Sequence, residues 1–145
     1  HNRTAMKSFA AADLMRPAEQ AAARMFASAG MGPADVDALQ CYDAFSFLTP
    51  MSLEAYGFCA SGQAGAMVRG GGIAPGGAFP VNTGGGHLSG FYLQGMTPVV
   101  EAVIQARGQG GDRQVPDIRT VMAGNNGGIL DYHATLLLGA AGVRP

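Results

Sequence analysis

Apolar positions in this chain recur at helical spacing in some stretches and in short bounded runs in others. From Ala18 to Ala29 the spacing is helical, with Ala22, Met25, Phe26 and Ala29 on one face. Pro17 stands where such a helix begins and Gly30 where it stops. The segment before it predicts a helical turn or two around Ala10 to Met15. Met31 to Ala38 is a connector, with Pro33 opening a short turn near Asp35 and Asp37. Ala38 to Tyr42 is short, apolar and bounded, which predicts a buried strand. Helices follow over Ala44–Tyr56, despite Pro50, and over Ser61–Arg69, closed by Gly70-Gly71-Gly72. Pro80–Asn82 predicts a brief strand. Tyr92–Arg107 predicts the longest helix, with Val99, Val100, Val103 and Ile104 on its buried face. After a polar turn over Gly108–Pro116, strands are predicted at Ile118–Ala123 and Asp131–Leu138, joined by the loop Gly124–Gly128. In the last strand His133, Thr135 and Leu137 alternate with Tyr132, Ala134, Leu136 and Leu138. No internal repeat is visible.

Helices mixed with short strands give an α/β class. Open α/β sheets bind ligands beyond the carboxyl ends of their strands. Three strand exits are therefore expected to converge on a site: Tyr42-Asp43, Asn82 to Tyr92, and Gly124 to Gly128.

Composition narrows the function classes. The 145 residues fit one domain, 1–145, and 48% are apolar, enough for a sizeable core. A net charge of −1 carries no footprint for nucleic acid. No apolar run approaches a membrane span, and no signal peptide is visible. The chain begins His1-Asn2-Arg3 without an initiator Met, so it is expected to be a piece of something longer. Cys41 and Cys59 have no metal-ligand partners at useful spacing and read as reduced thiols of a cytoplasmic protein. The 23 glycines cluster between apolar segments, as tight site loops do, rather than in a low-complexity tract.

The chemistry concentrates in Asn82–Gly95, NTGGGHLSGFYLQG. Gly84, Gly85 and Gly86 permit close backbone approach and positive φ. His87, Ser89 and Tyr92 follow at once. Neither the lysine of a Walker loop nor a G-x-G-x-x-G context is present.

Three groups of residues carry a family resemblance: Ala29-Gly30 with Asp35-Val36-Asp37 before Tyr42-Asp43-Ala44-Phe45, then Asn82-Thr83-Gly84-Gly85-Gly86, then Glu101 to Gly108. Together they resemble the C-terminal half of a thiolase-fold protein, in the branch of lipid-transfer-protein thiolases and steroid side-chain aldolases. The resemblance covers nearly the whole chain. It implies a five-layer α-β-α-β-α fold of two similar halves, of which this chain supplies one. The half's first strand would lie before His1, so an exposed sheet edge is expected.

Departures from true thiolases carry the functional reading. Thiolases have Asn-Glu-Ala-Phe where Tyr42-Asp43-Ala44-Phe45 stands. Their Gly-His-Pro-x-Gly motif falls on Phe91-Tyr92-Leu93-Gln94-Gly95. Their C-terminal cysteine and glycines fall on Ala123 to Gly128, which has no cysteine. Without that thiol, Claisen chemistry lacks its acid/base. Paired tyrosines resemble the retro-aldolases of the branch, which cleave a β-hydroxyacyl-CoA into a ketone and a shorter acyl-CoA such as propionyl-CoA. Tyr42 and Tyr92 are thus the candidate catalytic pair, with roles unassigned. Asp43, Asn82, Gly85, Gly86, His87 and Asn125 are candidates for binding substrate.

Each has a structural alternative. Either tyrosine can be a packed ring with its hydroxyl at the rim. Asp43 suits an Asx turn as well as it suits orienting a tyrosine. His87 fits a substrate contact or a structural hydrogen bond. Asn82 suits tying down the glycine turn, while Asn125 and Asn126 face the site or cap a loop. His133 and Tyr132 read as structural. Cys41 is expected on the opposite face of its strand from Tyr42, and Cys59 is not read as a nucleophile.

A retro-aldol with tyrosines needs no cofactor or metal, the CoA thioester being substrate. The resemblance implies the N-terminal half, a homodimer, and an OB-fold, zinc-ribbon partner protein. Thiolase-type acyl transfer and non-catalytic lipid or acyl-CoA carriage are the rival classes.

Overall fold

A computed structural model of the chain describes residues 14–128, 130–140 and 142. Most of the helical turn expected around Ala10 to Met15 lies outside the described residues. Helix α1 runs Arg16–Ala29 with Pro17 in its first turn. Gly30 ends it in the left-handed conformation (φ 64°), and the amides of Gly30 and Met31 donate to the carbonyls of Ala27 and Phe26. Ala18, Ala21, Ala22 and Phe26 form its buried face.

The sheet has three strands in the order β1 (Ala38–Cys41), β2 (Thr120–Gly127), β3 (Tyr132–Gly139). β1 is buried along its length, as its short, bounded run predicts, with even Gln40 inside, and pairs parallel to β2 with Ala38 opposite Val121. Asp37 fixes this register from outside the ladder, because its Oδ2 accepts from the amides of Arg119 (2.7 Å) and Thr120 (2.8 Å). β2 and β3 form an antiparallel hairpin. The expected strand at Pro80–Asn82 is reduced to one bridge, Val81 beside Leu39. The outer side of β3 has no strand partner among the described residues. One cluster, including Phe26, Leu39, Leu48, Leu53, Tyr56 and Met122, fills the side of the sheet toward α1. A smaller one on the other side is built on Ala38, Ala102, Val121 and Ala123.

Two helices start later than the apolar pattern predicts, for one reason. α2 covers Leu48–Ala55 and α4 covers Met96–Ala106, not Ala44–Tyr56 and Tyr92–Arg107. Each begins so that its proline, Pro50 or Pro98, falls in the first turn, where the missing amide has no intrahelical acceptor to lose. Tyr92 is consequently on a loop. The helix expected at Ser61–Arg69 shortens to α3, Ala64–Val68, where Gly70 takes φ 74°.

The buried face of α4 also differs from expectation. It carries Thr97, Pro98, Glu101, Ala102, Gln105 and Ala106, while Val99, Val100, Val103 and Ile104 are half-buried. Glu101 and Gln105 find polar partners inside the molecule, which removes the cost that would have kept them at the surface. The predicted loop Gly124–Gly128 is mostly strand, since β2 continues to Gly127 by pairing with Tyr132. Among the described residues no helix is long and apolar enough to cross a membrane.

His133 lies on β3 opposite Asn126. Neither ring nitrogen has a hydrogen-bond partner, and burial pushes its pKa down to about 4. The unfolded chain takes up this proton first as pH falls, so the stability contribution is intact above about 6.5 and is lost between there and about 4. The loss is about 1–2 kcal/mol once the ring's partial exposure is allowed for. Urea unfolding of the complete protein at pH 7.5 and 4.5 measures it. His133→Phe is expected to flatten that pH dependence, and an unchanged dependence would refute the assignment.

Candidate active site

Tyr42 extends β1 by one residue, its amide donating to Gly124 O at 2.9 Å. Cys41 is buried in the large core, and Tyr42, half-buried, packs against the edge of that same core while its ring lies beside His87 in the loop. There its hydroxyl lies 3.1 Å from that of Tyr92. The two tyrosines, fifty positions apart, are thus brought into direct hydrogen-bond contact. Tyr42 holds its proton above the ordinary phenol range. The hydrogen bond to Tyr92 is the chief cause, followed by burial and the negative charges of Tyr92 and Asp43.

His87 lies beside both rings, 4.4 Å from that of Tyr42 and 5.1 Å from that of Tyr92 between centroids. Asp43 Oδ1 accepts from the His87 amide (2.7 Å) and faces His87 Nδ1 (2.8 Å). His87 Nε2 faces the Gln94 carbonyl at 2.7 Å. The side chains of His87 and Asp43 are only 2% and 7% exposed.

The glycine turn is shaped by the protein's own carboxylates. A Cβ on Gly86 (φ 59°) would stand 2.6 Å from Asp43 Oδ1, and one on Gly84 would stand 2.7 Å from Glu101 Oε2. Bare backbone at these positions lets two acidic side chains press against the loop. Gly85 (φ 89°) closes the turn by donating to Asn82 O at 2.8 Å. Asn82 itself ties the turn to β1, since its Oδ1 accepts from the Cys41 amide at 2.7 Å.

Below the turn lies a polar network that the apolar pattern did not single out. Gln40 Nε2 donates to Thr83 Oγ1 (3.0 Å), and the Thr83 amide donates to Gln40 Oε1 (3.1 Å). Thr83 Oγ1 donates to Glu101 Oε1 at 2.7 Å, and Gln105 and Arg113 donate to the same carboxylate. Burial alone would raise the Glu101 pKa. The hydrogen bonds of Arg113, Gln105 and Thr83, with the Arg113 charge, outweigh it and hold the carboxyl below its usual range. A sequence signal existed: Thr97, Glu101 and Gln105 recur every four residues and so share one face of α4.

The third strand exit contributes less than expected. Asn125 lies on β2 near Gly95, with its Oδ1 buried and unpartnered. Asn126 faces the other side of the sheet with His133. No thiol serves the tyrosines: Cys41 Sγ is fully buried with its pKa pushed up to about 12, and Cys59 packs against the large core.

The family model described as thiolase C-terminal domain-like matches residues 1–140. The chain belongs to this family. Within the thiolase-like proteins it is 41% identical over 85 residues to the 17-hydroxy-3-oxo-4-pregnene-20-carboxyl-CoA lyase of Mycobacterium tuberculosis, a match covering 59% of this chain and 22% of the lyase. It is 40% identical over 85 residues to the steroid side-chain-cleaving aldolase of Thermomonospora curvata, with the same coverage of each. Rat sterol carrier protein 2 is 36% identical over 112 residues, 75% of this chain and 20% of that protein. A solved structure titled Ltp2-ChsH2(DUF35) aldolase superposes with a TM-score of 0.79 at 33% identity, covering 88% of this chain and 32% of that one. The chain thus spans about a fifth of the length of these curated relatives. They place it in the lipid-transfer branch of the thiolase-like fold, as the resemblance implied.

Proposed function

We propose that this thiolase-like chain carries the acid/base pair of a carbon–carbon lyase, which splits a β-hydroxyacyl-CoA with a steroid-like side chain by a retro-aldol step. The contact of the Tyr42 and Tyr92 hydroxyls carries the reading. Tyr92, the more exposed of the two, removes the substrate hydroxyl proton. The C–O bond becomes a carbonyl as the Cα–Cβ bond breaks, and the electron pair passes to Cα as a thioester enolate. Tyr42, which keeps its proton more tightly, donates it to that carbon. The proton on Tyr92 then returns to Tyr42 across the 3.1 Å contact. The products are a ketone and a shorter acyl-CoA such as propionyl-CoA. No electron is gained or lost overall, so the step calls for no redox cofactor, and the thioester itself stabilises the enolate.

Asn82, Gly85 and Gly86 form the floor on which the thioester would lie, with Asn125 at its far edge. The half-buried Val100, Val103 and Ile104 of α4 belong to neither core cluster. Their outward apolar flank supports packing against an N-terminal half of the same fold. A homodimer and an OB-fold, zinc-ribbon partner complete the assembly we envisage, in steroid degradation within the cytoplasm, where the free thiols Cys41 and Cys59 stay reduced.

Incubating the complete protein with a β-hydroxyacyl-CoA tests the lyase. Equimolar ketone and shortened acyl-CoA are expected. Thiolysis of a 3-ketoacyl-CoA would establish acyl transfer instead, and binding with no turnover would establish a carrier.

A further inference from the structure

His87 is the one ring in the site whose two nitrogens are both committed to acceptors: a carboxylate oxygen on Nδ1 and a carbonyl oxygen on Nε2. A neutral imidazole has a single N–H and leaves one of these oxygens facing a lone pair. The imidazolium donates to both. The surrounding backbone is arranged around this bonding. Asp43 seats its carboxylate against Gly86, where no Cβ intervenes, and takes the His87 amide on the same oxygen. Gln94 adopts φ 47°, uncommon for a residue with a side chain, while aiming its carbonyl at Nε2. His87 thereby joins the exit of β1, which carries Tyr42, to the loop that carries Tyr92.

We propose that His87, held as an imidazolium between Asp43 and Gln94, is the positioning residue that sets the Tyr42–Tyr92 contact and favours the phenolate form of that pair. The inference rests on the lyase reading for its kinetic consequence but not for its physical one. The ionisable groups facing the ring are Asp43, Tyr42 and Tyr92. Asp43 offsets part of the positive charge, and the remainder acts on the tyrosines through the ring contacts, against the hydrogen bond, burial and negative charges that raise the Tyr42 pKa. A ring 2% exposed touches no substrate, which separates this role from a binding one.

Nitrogen-15 NMR of the complete protein with labelled histidine is expected to show both His87 ring nitrogens protonated at pH 7.5. One unprotonated nitrogen would overturn the proposal, and this measurement needs no variant to fold. With 3-fluorotyrosine at positions 42 and 92, fluorine NMR follows the pair's first ionisation. His87→Gln is expected to move it upward by about one pH unit. The same substitution is expected to lower kcat by about 10–100-fold with KM within about twofold. A loss confined to KM would make His87 a substrate contact instead. Failure of the unaltered protein to cleave a β-hydroxyacyl-CoA would remove the lyase reading and leave both NMR outcomes to decide the role of His87.

Discussion

Tyr92→Phe is expected to lower kcat for β-hydroxyacyl-CoA cleavage by about 10²–10⁴-fold, the usual range for deleting a positioned proton acceptor. The ring remains, so its edge-on contact with His87 and the shape of the loop are kept. Only the oxygen is lost, and with it the acceptor for the substrate proton. Tyr42→Phe should cost about 10²–10³-fold, because the enolate loses its donor and Tyr92 loses the hydrogen bond that would stabilise its phenolate. The two losses should combine less than additively, since the hydroxyls act as a unit across 3.1 Å. Titration offers a check independent of turnover. The chief cause of the raised Tyr42 pKa is its bond to Tyr92, so Tyr92→Phe should bring Tyr42 back toward the ordinary phenol range. Near-ultraviolet difference spectra across pH 8–12 read that change. Full activity in both variants would leave the pair without a role in the chemistry.

How much of this was legible in the sequence depends on the kind of interaction involved. β1 was legible because a short, mostly apolar run between polar turns, Ala38 to Tyr42 with Gln40 its one polar residue, has few ways to fold. α1 was legible because Pro17 and Gly30 mark its ends. The pair of tyrosines was legible only through the family resemblance, since nothing local in Tyr42-Asp43 or Phe91-Tyr92 announces contact over fifty residues. Apolar periodicity alone predicts starts for α2 and α4 that are too early, because Pro50 and Pro98 are tolerated only in a first turn. The glycine turn announces close approach, and on its inner side Gly84 and Gly86 make room for Glu101 and Asp43. Their part is invisible in a sequence, because a glycine reports close approach without naming what approaches.

The buried polar face of α4 is the larger omission, and it carries the second expected result. Glu101→Leu should destabilise the complete protein by about 3 kcal/mol, and Glu101→Gln by about 2 kcal/mol. Both changes remove the charge that Arg113 pairs with and part of the acceptor capacity that Thr83 and Gln105 use. Arg113 is 43% exposed and regains water when released, so its share is modest. Thr83 and Gln105 are buried and do not, so the larger penalty falls on them. Denaturant unfolding at pH 7 measures the difference, and a change under about 0.5 kcal/mol for Glu101→Leu would show that the network contributes little. The pH dependence has a definite sign. A carboxyl held below its ordinary value contributes stability that is complete well above pH 4.5 and is lost as pH falls through its folded value. This loss lies below the window of His133, so wild type should weaken in two stages on acidification and Glu101→Gln in one. The consequence reaches the tyrosines, because Thr83 anchors the turn that leads through Gly86 to His87. Glu101→Gln should therefore also loosen the site, seen as faster amide exchange at Gly85 and His87 than in helix α1.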